Sequence, residues 1–298
     1  MLMGEHSVVY GGPCIVAAVR QKITVKLSRS TSEIIDLHLE DPYFDYQVPI
    51  SALSEKHPKT SIFILKAIKL FYEKFNVSSG LKILTKAEYG MQFGLGSSSA
   101  VTVAVLKALS EVFSFSLSES EFWDLAYKSV LEVQGVASGF DVASAVFGGV
   151  IYYQKNKPVI KLQDNKIPLL VVYSGVKGNT VTFLDQVAGL KKNYPEKVDS
   201  IFSRITDSVL QGRRFYENSD WTGLGGLFNK NHKLLVELGV STKMLDKLQQ
   251  LSVNNGALGA KLSGAGGGDC LILLYNKTHK EKLKKILSAA GGEVLEVL

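Results

Sequence analysis

The segment Phe93-Gly94-Leu95-Gly96-Ser97-Ser98-Ser99-Ala100, which runs straight into an apolar stretch over 101–113, constrains this chain more than any other. Val101, Val103, Ala104, Val105, Leu106 and Leu109 are apolar nearly all round a helix, which places that helix in the middle of a globular fold. Glycine lets the main chain approach an anion with no Cβ in the way and adopts dihedrals that other residues avoid. The first N–H groups of a helix have no partner within it, and the helix dipole adds partial positive charge there. Two glycines and three serines ahead of a helix therefore read as a phosphate cradle. A capped, tightly packed helix start is the alternative. The spacing is neither G-x-x-x-x-G-K-[ST] nor G-x-G-x-x-G, so it matches neither the P-loop nor the dinucleotide fingerprint.

The 298 residues suffice for two ordinary domains or one large one. Hydrophobic residues at 46% and charged ones at 21% describe a well-buried globular protein. The longest strongly apolar runs, such as 168–173, fall far short of a bilayer span, and no cationic segment followed by an apolar one opens the chain. Two cysteines, Cys14 and Cys270, are too few for a disulfide framework or a structural zinc site, which points to a reducing cytoplasm. The net charge of +6 comes from scattered lysines interleaved with apolar positions. Such lysines read as solvated helix faces, and no basic, aromatic-studded face for nucleic acid is present. A mild positive field would steer anionic small molecules toward a cleft.

The order of elements predicts an α+β fold, with antiparallel sheets covered on one side by helices. Strands are expected within 14–27 and over 33–39, 45–50, 81–85, 150–153, 169–173, 260–262, 270–275 and 293–298. Helices are expected over 61–75, after the glycine-serine segment, and over 118–134, 181–192, 197–218, 220–238, 242–255 and 280–290. Ser118 with Glu121 three residues on predicts a capping box. The lysine-rich stretch 154–166 has little periodicity and marks the expected domain boundary, giving domains 1–160 and 161–298.

Three further segments carry chemistry. Gly4-Glu5-His6-Ser7-Val8-Val9-Tyr10-Gly11-Gly12 joins an ionisable pair to a tight turn, and that pair either binds a substrate hydroxyl or is a buried structural pair. In Ala137-Ser138-Gly139-Phe140-Asp141 the carboxylate reads as a helix cap or a base. Lys261-Leu262-Ser263-Gly264-Ala265-Gly266-Gly267-Gly268-Asp269-Cys270 reads as a hairpin or bulge, with more glycine than a simple turn needs.

Together, 4–11, 94–100 and 261–270 resemble the three signature motifs of the GHMP kinases, in the family's order and separations. The resemblance extends through 133–149 and 231–243, and Gly-Glu-His-x-Val-Val-Tyr-Gly has the form typical of mevalonate kinases. It implies a two-domain fold, with an N-terminal domain like ribosomal protein S5 domain 2 and a ferredoxin-like C-terminal domain. It implies ATP and Mg²⁺ as cofactors, transfer of the γ-phosphoryl to the 5-hydroxyl of mevalonate, and a cytoplasmic enzyme with room for a homodimer. Gly94, Leu95, Gly96, Ser97, Ser98, Ser99 and Ala100 would wrap the ATP phosphates with main-chain N–H groups, and Ser98 would also ligate Mg²⁺. Asp141 matches the catalytic aspartate that accepts or orients the proton of the attacking hydroxyl. Glu5, His6, Thr180, Gly264, Ala265 and Gly266 would line the acceptor site.

Two departures qualify this pattern. The lysine of an Ala-Pro-Gly-Lys segment that mevalonate kinases carry shortly before Gly-Glu-His has no counterpart after Met1, so the first strand is expected to be truncated. The family's metal-binding glutamate falls at Val130, and Glu132, two residues later, lies on another helix face. The segments around Asp141 and Asp269 lean toward phosphomevalonate kinase, and a catalytically impaired nucleotide-binding relative is the remaining alternative.

Overall fold

The computed structural model describes residues 1–88 and 93–295. Contacts divide these into two compact units. One comprises 1–20, 93–94 and 149–295, the other 21–88 and 95–148. The change of composition at 154–166 therefore lies inside a unit, because the strand just before it pairs with the start of the chain. The division also falls within the glycine-serine segment, after Gly94.

The unit of 21–148 is a four-stranded sheet with helices on one face. Strands β2 (Ile23–Ser30), β3 (Ile34–Glu40), β4 (Tyr43–Pro49) and β5 (Gly80–Ala87) lie in the order β2-β5-β3-β4. Alternation in β3 buries Ile35, Leu37 and Leu39 beneath helices α1 (Ile62–Phe75), α2 (Ser97–Val112) and α3 (Glu119–Gln134). The third helix starts as its sequence predicts, with Ser118 and Glu121 forming a complete capping box. The expectation of antiparallel sheets fails at one pair: β3 and β5 run parallel. The hairpin to β4 and the crossover through α1 bring the chain back in the same direction, as a parallel pair requires. Helix α2 buries Thr102, Val103, Val105, Leu106, Leu109 and Ser110, which confirms its central place. The short helix α4 (Phe140–Phe147) follows.

The other unit holds two sheets. In the first, β1 (Cys14–Ala17), β6 (Val150–Tyr153) and β7 (Ile160–Leu162) are antiparallel, and β7 falls within the lysine-rich stretch where no strand was expected. The second consists of β8 (Leu169–Tyr173), β9 (Ala257–Ser263), β10 (Cys270–Tyr275) and β11 (Glu293–Leu295) in the order β11-β8-β10-β9. Four helices, α5 (Thr180–Asn193), α6 (Pro195–Glu217), α7 (Trp221–Glu237) and α8 (Lys243–Asn254), join β8 to β9, and α9 (Lys280–Ala289) joins β10 to β11. This is the β-α-β-β-α-β ferredoxin-like arrangement that the family resemblance implies. Residues 296–298 of the expected last strand lie outside the described residues. Among the described residues no helix is long and apolar enough to cross a membrane.

Candidate active site

Within the unit of 21–148, the start of α2 is built to leave donors unused. Gly96 is its N-cap at φ 82°, ψ 28°, and no side chain caps the helix. The first intrahelical bond runs from the Ala100 N–H to the Gly96 carbonyl at 3.1 Å. The N–H groups of Ser97, Ser98 and Ser99 thus stand ahead of the helical ladder. The Ser98 carbonyl accepts from the Thr102 hydroxyl at 2.8 Å. The Ser99 side chain is fully buried and donates to Asp141 Oδ2 at 2.6 Å. Its hydroxyl therefore faces the carboxylate, and only its main-chain N–H is left for an anion at the helix start.

Asp141 is the second residue of α4, whose N-cap is Gly139. The reading of Asp141 as the helix cap is thereby replaced by a first-turn carboxylate, with the Val142 N–H donating to Oδ1 at 3.0 Å. The helix α3 is regular through Gln134, so Val130 stays fully buried and Glu132 is held by Lys66 at 3.2 Å. Glu132 therefore does not take the place of a metal-binding glutamate. Among the described residues no cluster of three or more His, Cys, Asp and Glu could hold a metal ion. A magnesium ion bound to polyphosphate needs few protein ligands, and the Ser98 hydroxyl, beside N–H groups that have no partner within the helix, suits it.

In the other unit, Glu5 and His6 part company. Glu5 is 1% exposed, its Oε1 paired with the Lys261 ammonium and its Oε2 accepting from Asn231 Nδ2 at 3.1 Å. Lys261 also donates to the Leu262 carbonyl at 2.6 Å. The expected substrate contact of Glu5 gives way to a buried ion pair, the second of the two readings its sequence allowed. Burial pulls the Lys261 ammonium below its usual range, with Glu5 opposing the shift. His6 sits at φ 58°, a conformation costly for a side-chain-bearing residue. Its Nε2 lies 2.9 Å from the Ala265 carbonyl, which can only accept, so Nε2 carries the proton. Burial holds the ring below the usual histidine range. The lone pair on Nδ1 is buried with no partner among the described residues.

The loop 264–269 joins the antiparallel strands β9 and β10, so the hairpin reading is correct as far as topology goes. Packing accounts for its glycines. A Cβ on Gly266 would stand 2.1 Å from the Val240 carbonyl, and one on Gly267 would strike the Phe183 ring. Around Gly264 the space is open. Asp269 closes the loop: its Oδ1 accepts from the Gly178 N–H at 3.0 Å and lies 3.4 Å from Lys177 Nζ. A Cβ on Gly94 would fall 2.7 Å from Asp269 Oδ2. Thr180, exposed, opens α5 directly after the Asn179 cap.

The family model described as GHMP kinases N terminal domain matches residues 63–149, and that described as GHMP kinases C terminal matches 214–293. A mevalonate kinase of Thermococcus sibiricus is 34% identical over 99% of this chain and 92% of its own length. The chain belongs to the GHMP kinases. Among solved structures, the Methanococcus jannaschii mevalonate kinase is similar with a TM-score of 0.86 and 29% identity, over 99% of this chain and 93% of that one. The L. major mevalonate kinase in complex with R-mevalonate matches with a TM-score of 0.79 and 27% identity, over 99% and 92%.

For this GHMP kinase, three features of the site escaped sequence reasoning. The partner of Glu5 is Lys261, distant in sequence, and only the β9 register brings it there. Asp269 reads as a loop residue until its carboxylate is seen against Gly178. Ser99 reads as one of three equivalent serines, although helical geometry turns it inward while Ser97 and Ser98 stay partly exposed.

Proposed function

We propose that this chain is an ATP-dependent kinase transferring the γ-phosphoryl group of ATP to the 5-hydroxyl of mevalonate. The observation that carries the reading is the likeness to a mevalonate kinase across 99% of the chain. Phosphoryl transfer relies on positioning and charge stabilisation more than on covalent chemistry. The N–H groups of Ser97, Ser98 and Ser99 hold the phosphates, aided by the α2 dipole. The Asp141 carboxylate accepts the proton of the attacking hydroxyl while its oxygen bonds to the γ-phosphorus. The bond from that phosphorus to the bridging oxygen breaks, and ADP leaves.

His6, neutral and with Nδ1 open, accepts a hydrogen bond from a substrate hydroxyl. Thr180 contributes beside the transferred group, and 264–266 shape the acceptor side. Glu5 fixes the segment that carries His6. The hydroxyl of Ser98 would hold Mg²⁺, which would neutralise phosphate charge when bound with ATP. Cys14 and Cys270, both buried and not joined in a disulfide, suit a cytoplasmic enzyme.

Phosphomevalonate kinase remains the second reading, favoured by Val130 at the metal-glutamate position. Purified protein with ATP and Mg²⁺ should release ADP with mevalonate and much less with 5-phosphomevalonate. The reverse order overturns the acceptor assignment, and ADP release with neither overturns the kinase reading.

A further inference from the structure

We propose that Ser99 is a positioning residue that locks the Asp141 carboxylate to the phosphate-binding turn of α2. The proposal rests on the reading of Asp141 as the group that takes the proton of the attacking hydroxyl. A carboxylate turns about a broad, roughly two-fold torsion, so an aspartate without partners does not hold one plane. Here, among the described residues, each oxygen has one donor: the Val142 N–H on Oδ1 at 3.0 Å and the Ser99 hydroxyl on Oδ2 at 2.6 Å. The first belongs to the same helix as Asp141 and moves with it. The second comes from α2 and, among the described residues, alone ties the carboxylate to another element.

The distance of 2.6 Å falls in the range of a hydroxyl donating to an ionised carboxylate, about 2.5–2.7 Å. Ser99 is fully buried, so water does not compete for Oδ2 from that side. It is the third residue of α2, immediately after Ser97 and Ser98, whose N–H groups await an anion. One hydroxyl therefore joins the turn that would hold the transferred phosphoryl group to the carboxylate that would take the proton. A two-donor carboxylate keeps about two further lone-pair positions for the acceptor hydroxyl.

Such a residue affects how the reacting groups meet more than how each ligand binds. Misplacement of a reacting group by 1 Å can cost about a hundredfold in rate. Ser99→Ala should therefore lower kcat with mevalonate by roughly 10–100-fold, with KM for ATP and for mevalonate changed by no more than about threefold. Ser99→Cys, similar in size but a weak donor, should fall between the two. In an Asp141→Asn background the added Ser99→Ala change should have little further effect on residual turnover, because residues acting as a unit are not additive.

Unchanged kcat in Ser99→Ala, with Asp141→Asn inactive, overturns the positioning role and leaves the kinase reading intact. Full turnover in Asp141→Asn overturns the role of Asp141 itself. If Ser99→Ala does not fold, Ser99→Cys carries the test. A kcat equal to that of the unmodified protein then refutes the proposal, and a severalfold lower kcat at constant KM supports it.

Discussion

Removing Lys261 tests the most consequential piece of tertiary chemistry in the molecule. Lys261 and Glu5 are both inaccessible at the side chain, and each is the other's counter-charge. Breaking a buried pair from one side typically costs about 3–5 kcal/mol, since the remaining charge is left uncompensated. In Lys261→Met the Glu5 carboxylate keeps, among the described residues, Asn231 Nδ2 at 3.1 Å as donor. In Glu5→Gln the ammonium keeps the Leu262 carbonyl at 2.6 Å but loses its counter-charge. Either change should therefore remove about 3–5 kcal/mol, a large share of the roughly 5–15 kcal/mol that holds a protein folded.

Urea unfolding followed by circular dichroism, extrapolated linearly to water, measures the loss. The double variant Glu5→Gln, Lys261→Met should be less destabilised than the sum of the two, because it leaves no unpaired charge. The Tm of the single variants should fall by roughly 6–20 °C, taking about 2–4 °C per kcal/mol. Losses below about 1 kcal/mol in both singles, or strict additivity in the double, would show that the pair is solvated and refute the reasoning.

Acid should weaken the fold before carboxylates titrate. Burial lowers the pKa of His6 and His232 below the ordinary histidine value of 6.5. As pH drops through 6.5 the unfolded chain takes up protons before the folded one, so stability is highest above that pH and is lost below it. His232 has a structural reason to stay neutral, since its Nδ1 lies 3.2 Å from the Leu262 N–H and must accept from it. Melting curves between pH 8 and pH 5 should show a falling Tm below about 6.5, and a flat profile would exclude the histidine contribution. At the 264–269 loop, Gly264→Ala meets open space and only the strain of a positive φ, about 1–3 kcal/mol. Gly266→Ala meets the Val240 carbonyl as well and should cost at least about 1 kcal/mol more. Equal losses in urea unfolding would contradict the packing described.

Local signals in the chain were sufficient for most elements. The apolar spacing of 61–75, the Ser118 capping box and the runs at 150–153, 169–173 and 270–275 all have causes within a few residues of themselves, so the structure repeats them. Strand β7 was not legible because Ile160-Lys161-Leu162 is mostly exposed and owes its conformation to pairing with β6. The parallel pairing of β3 with β5 was hidden for the same reason, since direction depends on how distant strands meet. Glycine and serine ahead of a helix disclosed the helix start that no side chain caps, because its physics lies in consecutive N–H groups.

The sequence by itself determined the family and most of the order of elements, both carried by local spacing and short motifs. Tertiary structure alone decided which polar side chains face each other. Glu5 turned inward because β9 delivers Lys261 against it, over a separation of 256 residues. Ser99 turned toward Asp141 because the first turns of α2 and α4 come together. Pairings of this kind depend on where helices and strands pack, and spacing along the chain carries no record of that.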